Sequence, residues 1–348
     1  MKVALIGMMQ SGKSTLMSAI SGKSIPISGG MHIEEEVIHV PDERLDWLTE
    51  LHKPQRTVYA TVDCLDLPGL SFADESSRAA ARRLFGQVRT VEVFVIVVRG
   101  FGEGADPAKD VMDLRTEFLL SDLELVTTRI ERLEKQVHKP SDTQKHDKAE
   151  LALQLKLQEA LEAEKPVSSA VKDDHELELI KSLGFLTLKP VMVAVNVAED
   201  DVGKQVDLSS VVGEDVEVIT LCAKLESELA QLDEADRSEF MADMGIKEPA
   251  VKKFVQSCYS TLGLISFLTI GKDEVRAWPI RKGTAALDAA GKVHSDIKRG
   301  FIRAETISYA DLKEFGSEKE CKAAGKTRLE GKTYIVQDGD IINFRFNV

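Results

Sequence analysis

The sequence predicts an α/β fold with a mostly parallel sheet, an inserted antiparallel helical hairpin and a small α+β domain at the end. Apolar, β-branched runs at 3–6, 93–98 and 191–195 alternate with helix-like segments, as in a sheet covered on both faces. Apolar residues between 113 and 161 step by three and four along two helix-length segments. The predicted domain bounds are 1–112 and 185–263 for the α/β domain, 113–184 for the hairpin and 264–348 for the last domain.

The composition is that of a globular protein with an acidic surface. The 348 residues are 43% hydrophobic and carry a net charge of −13, which disfavours nucleic acid and anionic membranes over most of the surface. Residues 264–348 differ, with 15 Lys+Arg against 12 Asp+Glu. The four cysteines are far apart, which argues against a zinc site or a disulfide framework. No apolar run is long enough to span a bilayer and no signal peptide is recognisable, so we expect a soluble cytoplasmic protein without a membrane partner.

A phosphate-binding P-loop is predicted where the first strand meets the first helix. The loop reads Gly7-Met8-Met9-Gln10-Ser11-Gly12-Lys13-Ser14 and is followed by Thr15, in the spacing G-x4-G-K-S. Its glycines let consecutive backbone N–H groups face an anion, and the helix adds its positive dipole end. We expect Lys13 to contact the β- and γ-phosphates and Ser14 to bind Mg²⁺. The alternative is a Gly-rich turn with a surface lysine, but the flanking strand and helix favour a nucleotide. The candidate binding residues of this loop are Gly7, Gln10, Ser11, Gly12, Lys13, Ser14 and Thr15.

A second phosphate motif, Asp66-Leu67-Pro68-Gly69, ends the strand predicted at 58–67. In P-loop proteins this aspartate holds Mg²⁺ through water, and the glycine N–H senses the γ-phosphate. We therefore assign Asp66 to Mg²⁺ and Gly69 to the nucleotide. The following segment, 71–88, is predicted to be a helix. Three of its residues, Arg78, Arg82 and Arg83, are either a stabilising arginine finger or a solvated helix face, and the second interpretation is favoured.

Two loops are candidates for contacting the base. Asn196-Val197-Ala198-Glu199 follows the strand at 191–195, where a P-loop GTPase carries N-K-x-D. A glutamate in place of the aspartate, and a valine in place of the lysine, should weaken guanine selection. We therefore expect Asn196 and Glu199 to contact adenine, with ATP preferred and GTP less favoured. The second base loop is Cys222-Ala223-Lys224, after the strand predicted at 216–220.

The remaining predicted helices, strands and loops rest on helix-capping residues and on proline and glycine, which interrupt regular structure. Asp42 precedes a predicted helix, and Pro249 opens another. The predicted loops are 21–36 and 139–142, the predicted strands are 37–40, 265–270, 274–279, 334–336 and 341–345, and a helix is predicted over 225–244, ended by Gly245.

The order of these motifs resembles the YchF family of Obg-like ATPases, over nearly the whole chain. The C-terminal segments that resemble this family's TGS domain are 274–278, 290–294, 300–305, 328–332 and 338–340. The resemblance implies ATP in preference to GTP, hydrolysis to ADP, and association with the ribosome through the hairpin and the TGS domain. The residues Asn196 and Glu199 lead to the same ATP preference independently of the resemblance.

The departures from this family lie where hydrolysis would be organised. The family carries an asparagine linked with K⁺ stimulation where Gln10 stands, and a threonine Mg²⁺ ligand in a first switch that here is short and holds Glu34-Glu35-Glu36. Three carboxylates near a triphosphate should repel it. Leu70 matches the family, but 71–83 lacks its second-switch glycines and histidine. No catalytic residue is assigned, so a slow Mg²⁺-dependent ATPase, a hydrolysis-deficient nucleotide-sensing adaptor and a GTPase all stay open.

Two further features of the C-terminal part have alternative interpretations. A mixture of basic and aromatic residues is either a small RNA-contacting patch or a solvated edge. Its members are Lys298, Arg299, Phe301 and Arg303. His294 is interpreted as a packing or capping residue in preference to a ligand or base.

Overall fold

The computed structural model describes residues 1–23, 32–138, 142–204, 206–213, 216–244 and 246–347. Most of the predicted first-switch loop, part of the loop at 139–142, and Gly245 lie outside these ranges. By its internal contacts the chain forms two compact units, residues 1–36 with 64–251 and residues 37–63 with 252–348. This division groups 37–63 with the C-terminal part, whereas the predicted bounds place them in the α/β domain. The predicted bounds therefore stay a prediction.

The α/β class is confirmed. The strands are β1 (Lys2–Ile6), β2 (Glu34–His39), β3 (Arg56–Val58), β4 (Thr61–Asp66), β5 (Val93–Gly100), β6 (Val191–Val197), β7 (Val218–Leu221), β8 (Leu264–Ile270), β9 (Glu274–Arg281), β10 (Phe301–Ser308), β11 (Arg328–Glu330) and β12 (Asp340–Phe346). The helices before β8 are α1 (Lys13–Ser21), α2 (Glu43–His52), α3 (Glu75–Gln87), α4 (Pro107–Val137), α5 (Gln144–Glu162), α6 (Asp174–Ile180), α7 (Ser209–Val212), α8 (Ala223–Gln231), α9 (Glu234–Asp243) and α10 (Ala250–Thr261). The helices after β9 are α11 (Ala286–Val293), α12 (Ser295–Arg299), α13 (Tyr309–Phe315) and α14 (Glu318–Ala323).

The first sheet has the strand order β2-β4-β1-β5-β6-β7. Its centre is parallel, with Val3 opposite Val93 and Val193 opposite Val218. The run from Val93 to Val98 is fully buried, because helices cover both faces of the sheet. The carboxyl ends of these strands carry the P-loop, Asp66 and Asn196, so the topology gathers the predicted motifs at one edge.

Two strand predictions and one helix prediction in this half of the chain require correction. β2 begins at Glu34, since an edge strand tolerates exposed charged residues that read as loop in the sequence. The strand predicted at 58–67 is two strands, because the chain breaks pairing at Tyr59-Ala60 and β3 joins β9 of the second sheet. The helix predicted over 225–244 is split into α8 and α9, because Asp233 caps a new helix by accepting a hydrogen bond from Asp236 N.

The two-helix prediction is confirmed for α4 and α5. Gln144 bonds to the carbonyl of Val137 near the connection, and Arg129 pairs with Glu150 further away, so the helices run antiparallel. The predicted stripe is buried between them, with Val126 and Ile130 in one core with α5. The α5 residues of this seam are Leu153, Leu157 and Leu161. In the part of the chain that the structure describes, no helix has the length and apolar character needed to cross a membrane.

The second sheet has the order β11-β10-β12-β8-β9-β3 and mixed strand directions. Phe267, Phe301 and Phe344 lie in its core against α11. The strand predicted at 334–336 is wrong, since only Ile335 pairs there, in a single bridge with Ala285. β10 and β11 lie in segments that resemble the TGS domain but for which the sequence pattern predicted no strand.

Candidate nucleotide-binding site

The P-loop connects β1 to α1 through backbone conformations that depend on glycine. Gly12 has φ 92° and immediately precedes α1, and Gln10 has φ 60°. A Cβ on Gly7 would lie 2.1 Å from the carbonyl oxygen of Val97, and one on Gly12 would lie 2.1 Å from Nδ2 of Asn196. Both glycines are therefore required by close packing, and Gly12 also by its left-handed backbone conformation.

Lys13 is folded back into the loop and is only 5% exposed. Its Nζ donates to the carbonyls of Gly7 (3.1 Å) and Met8 (3.0 Å) and to Oγ of Ser11 (3.4 Å). Burial lowers the pKa of Lys13 to about 8, against the opposing charge of Asp66. The loop thus holds a cation that is poorly hydrated and satisfied only by neutral acceptors, a situation that an anionic ligand would improve.

Ser14 and Asp66 form the second polar centre. Oγ of Ser14 donates to Oδ2 of Asp66 at 2.6 Å, and Asp66 is 5% exposed. Burial raises the pKa of Asp66, while the Ser14 hydrogen bond and the Lys13 charge oppose that rise. No described residue donates to Oδ1 of Asp66. A hydroxyl and a buried carboxylate with an unused oxygen are the hard ligands that Mg²⁺ prefers, so these residues fit the ion.

The D-x-x-G segment is joined to the P-loop through its backbone. Leu70 N donates to Gly7 O at 3.0 Å, and Met9 N donates to Leu70 O at 2.9 Å. A Cβ on Gly69 would lie 2.8 Å from Cα of Met9, so glycine is needed for this approach. Leu70 is 4% exposed and belongs to the sheet core. The position where ordinary GTPases carry a catalytic glutamine is therefore occupied by a buried apolar side chain.

The arginines after this motif are tied to α4. Arg78 donates through Nε to Phe72 O at 3.1 Å and lies 3.6 Å from Glu117. Arg82 pairs with Glu124 at 2.9 Å. The exposed Arg83 has no ion pair with any residue that the structure describes. Two of the three arginines thus join two helices, which neither sequence interpretation anticipated.

A third arginine–carboxylate contact, on Asp122, completes the link to α4. Arg89 donates to Oδ1 of Asp122 at 2.9 Å, and Asp122 also accepts from the backbone N–H groups of Leu186 and Thr187. Asp122 is fully buried. The base of the hairpin is thereby fixed both to the end of α3 and to the segment that leads into β6.

Beside the P-loop lies a cavity of about 500 Å³. Glu117, on α4, is 3% exposed, and its Oε2 has no hydrogen-bond partner among the described residues. The cavity is lined by Met8, Ser71, Phe72, Ala73, Arg78, Lys109, Asp113, Thr116, Glu117 and Leu120. The sequence reading did not select Glu117, and its only signal was an acid beside the apolar stripe of a long helix.

The base end is assembled around Asn196, which lies inside β6 and is 6% exposed. Its Nδ2 donates to Ser11 O at 3.0 Å, and its Oδ1 accepts from Ala223 N at 2.9 Å. Asn196 therefore ties the P-loop to the second base loop, where the buried Cys222 precedes α8. Its predicted contact with adenine stays a prediction. Glu199 and Lys224 form an ion pair of 2.7 Å across the two loops.

The acidic first switch is less repulsive than the sequence suggests. Glu35 pairs with Lys2 at 2.7 Å, and Glu36 pairs with Lys23. Of the three carboxylates only Glu34 is close enough to Asp66 to help raise its pKa. Two of the expected repulsive charges are thus neutralised by neighbours. Gln10 is exposed and Thr15 half-buried at the loop's outer side.

Of the two interpretations of the basic and aromatic residues at 298–303, the structure argues against a patch that stacks on RNA bases. Phe301 is 6% exposed and packs in the sheet core, so it cannot stack on a base. Lys298 pairs with Asp288, and Arg299 with Asp296. His294 accepts a hydrogen bond from Asp296 N at the start of α12, which confirms the capping interpretation.

The chain matches two protein-family models. A model described as a 50S ribosome-binding GTPase matches residues 2–196. A YchF C-terminal model, described as a protein of unknown function (DUF933), matches residues 264–347.

Relatives of similar length cover the whole chain. "Ribosome-binding ATPase YchF" of Bacillus subtilis (strain 168) is 38% identical over 99% of this chain and 98% of its own length. "Obg-like ATPase 1" of Oryza sativa subsp. japonica is 34% identical over 100% of this chain and 92% of its own. The solved "Structure of the Schizosaccharomyces pombe YchF GTPase" superimposes with a TM-score of 0.83 at 29% identity, covering 99% of this chain and 97% of that one.

Proposed function

The chain belongs to the YchF family, and we propose that it binds ATP in preference to GTP, hydrolyses it slowly with Mg²⁺, and uses its nucleotide state to regulate association with the ribosome or RNA in the cytoplasm. Membership confirms the resemblance read from the sequence. In this proposal the bounds 113–184 and 264–348 are those of a docking hairpin and a TGS domain.

The observation that carries nucleotide binding is the preassembled phosphate centre. A nine-tenths-buried lysine and a serine–aspartate pair 2.6 Å apart lie together at the start of α1. Burying these groups without a ligand costs free energy, because one is a cation on neutral acceptors and the other a carboxylate with an unused oxygen. A Mg²⁺–triphosphate would compensate both at once.

The residues then have separate roles. Lys13 would exchange its contacts with loop carbonyls for the β- and γ-phosphates, and the N–H groups of the loop would hold the other phosphate oxygens. Ser14 and Asp66 would hold Mg²⁺, which when bound neutralises charge on the phosphates. The N–H of Gly69 would sense the γ-phosphate, since Gly69 packs directly on Met9 of the P-loop.

The base end supports adenine. Guanine selection uses a backbone N–H that donates to the base O6, and here Ala223 N already donates to Asn196. Glu199 offers an acceptor for the adenine 6-amino group, whereas guanine has a carbonyl oxygen at that position. Val197, where a guanine-specific loop has a lysine stem, lies 4% exposed in β6 and cannot cover the base. We therefore propose ATP as the ligand and GTP as a weaker one.

The region after Gly69 supports slow turnover. Leu70 is buried and apolar, so it cannot orient a water as the glutamine of ordinary GTPases does, and Arg78 and Arg82 contact carboxylates of α4. The alternative is an adaptor that binds ATP without hydrolysing it. Both versions keep the same binding residues.

The docking arm is proposed to be the hairpin, with the TGS domain as the second contact. The end of the hairpin where α4 connects to α5 carries exposed cations, interspersed with the carboxylates of Glu131 and Glu134. These cations are Arg132, Lys135, Lys145 and Lys148. Cations suit a phosphate backbone. The contacts of α3 with α4, among them Arg82 with Glu124, provide a direct physical path from Gly69 to this arm.

Single-turnover hydrolysis separates the enzyme from the adaptor. Purified protein in excess over radiolabelled ATP and Mg²⁺ should form ADP faster than a Lys13→Ala variant at the same protein concentration. Equal rates in the two proteins would exclude the enzyme and support the adaptor that binds ATP without hydrolysing it. GTP that displaces half or more of the bound ATP at equal concentration would show that the base preference is wrong, independently of the hydrolysis result.

A further inference from the structure

The ion pair of Lys224 with Glu199 lies where the base of the proposed nucleotide would sit. Nζ of Lys224 donates to Oε1 of Glu199 at 2.7 Å, and this hydrogen bond raises the pKa of Lys224. Glu199 lies in the turn after β6, and Lys224 in the first turn of α8. Asn196 fixes both loops, because it lies at the end of β6 and accepts from Ala223 N. The pair is therefore held between the two base loops.

The pair presents one donor beside one acceptor. Lys224 uses only Oε1 of Glu199, and within the described ranges of the chain no hydrogen bond to Oε2 is formed, so Oε2 can accept one from a ligand. The ammonium has three N–H groups, of which the Glu199 contact uses one. Adenine presents the matching edge, an exocyclic amine that donates and a ring N1 that accepts. Guanine presents an N1–H at the second position, which would meet the ammonium N–H head on.

We propose that Lys224 is a specificity-determining residue that donates to N1 of adenine, while Glu199 accepts from the adenine amine. This inference rests on the proposed ATP binding and extends it to a single atom of the base. Lys224 acts on the ligand itself, and its pairing with Glu199 also limits that carboxylate to one free oxygen. A carboxylate with both oxygens free would suit the two neighbouring donors of guanine.

The test is a calorimetric cycle that changes one protein group and one ligand atom. Wild type, Lys224→Met and Lys204→Met are each titrated with Mg²⁺–ATP and with Mg²⁺–1-deaza-ATP, in which a C–H replaces N1. Lys204 is the matched control, since it is an exposed lysine paired with Asp201 in the segment after β6. Loss of a positive charge weakens both ligands equally, so comparing the two ligands isolates the contact with N1.

We expect Lys224→Met to weaken the binding of ATP roughly 3- to 10-fold more than it weakens the binding of 1-deaza-ATP. Wild type should prefer ATP over 1-deaza-ATP by a similar factor, and Lys204→Met should keep that preference. Equal losses for the two ligands, or no loss for either, would overturn the role of Lys224 while leaving ATP binding intact. Failure of wild type to bind ATP would overturn this inference together with the proposed function. Lys224 is exposed, so the variant should fold, and its melting curve checks this.

Discussion

The two regions that meet at Gly69 differ in how completely they are built. On one side, the P-loop, Lys13, Ser14 and Asp66 form a buried, hydrogen-bonded centre whose unsatisfied groups match a Mg²⁺–triphosphate. On the other side, the segment after Gly69 directs Leu70 into the core and its arginines toward α4. Binding needs only the first region, whereas hydrolysis also needs a positioned water and charge stabilisation from the second. The difference supports the proposal of a protein that holds its nucleotide well and turns it over slowly.

The largest expected effect is on the first region. Lys13→Ala should weaken Mg²⁺–ATP binding by about 100-fold or more, because it removes the buried cation that faces the phosphates. Calorimetric titration measures this loss. Lys109→Ala is the control, since Lys109 is an exposed lysine that lines the neighbouring cavity and pairs with Asp113. Equal affinity of wild type and Lys13→Ala would show that the P-loop does not bind the nucleotide.

The next effect concerns the metal. Asp66→Asn should reduce the Mg²⁺ dependence of ATP binding by roughly 10-fold, because an amide is a weaker ligand for Mg²⁺ than a carboxylate. The measurement is ATP affinity with Mg²⁺ and with a chelator. The control is Asp113→Asn, which changes a half-buried carboxylate on α4. It should keep the wild-type ratio of the ATP affinities with Mg²⁺ and with chelator. If Mg²⁺ strengthens ATP binding to Asp66→Asn as much as it does in wild type, other residues must hold the ion.

A smaller effect tests the second region. Arg78→Ala leaves the buried Glu117 without its ion pair, and it should lower the free energy of unfolding by about 1 kcal/mol relative to Arg83→Ala. Urea unfolding measures this difference. The same substitution should change the single-turnover rate less than twofold. A drop of roughly 100-fold in rate, with Arg83→Ala unaffected, would instead identify Arg78 as an arginine finger.

The smallest effect is a pH dependence of binding. Burial sets the pKa of Lys13 to about 8 in the nucleotide-free protein, and a bound triphosphate should raise it. Below the lower pKa the lysine is protonated in both states, so binding takes up no proton. As pH rises past it, binding must restore the proton, so affinity should fall about fourfold between neutral pH and about pH 8.5. Titrations in buffers of different ionisation enthalpy should show proton uptake on binding only at the higher pH. If binding takes up no proton at the higher pH, the lowered pKa of Lys13 is contradicted.

The sequence predicted the strand, loop and helix of the first region, because the P-loop motif is local. Gly7, Gly12, Lys13 and Ser14 carry their chemistry in one short run, and alternating strands and helices place that run at the sheet edge. The two loops predicted to contact the base were located in the same way, through Asn196 at a strand end, and their contact with a base stays a prediction.

The second region was not predictable in the same way, because its contacts join distant segments. Glu117 lies 39 residues from Arg78 along the chain, and nothing in either segment indicates the other. The burial of Phe301 and the split of the strand at 58–67 are also tertiary effects, since the local pattern fits both outcomes. Propensity gives the presence of a strand, while the packing partner decides which sheet it joins.

The most direct test of slow turnover on a well-built binding site is a rapid-quench experiment under single-turnover conditions. Wild type saturated with radiolabelled Mg²⁺–ATP is sampled both for nucleotide retained on the protein and for ADP formed. The structure predicts retained ATP with a hydrolysis rate below about 0.01 s⁻¹. A rate near 10 s⁻¹, typical of an efficient enzyme, would contradict it by showing that the region after Gly69 is organised for catalysis.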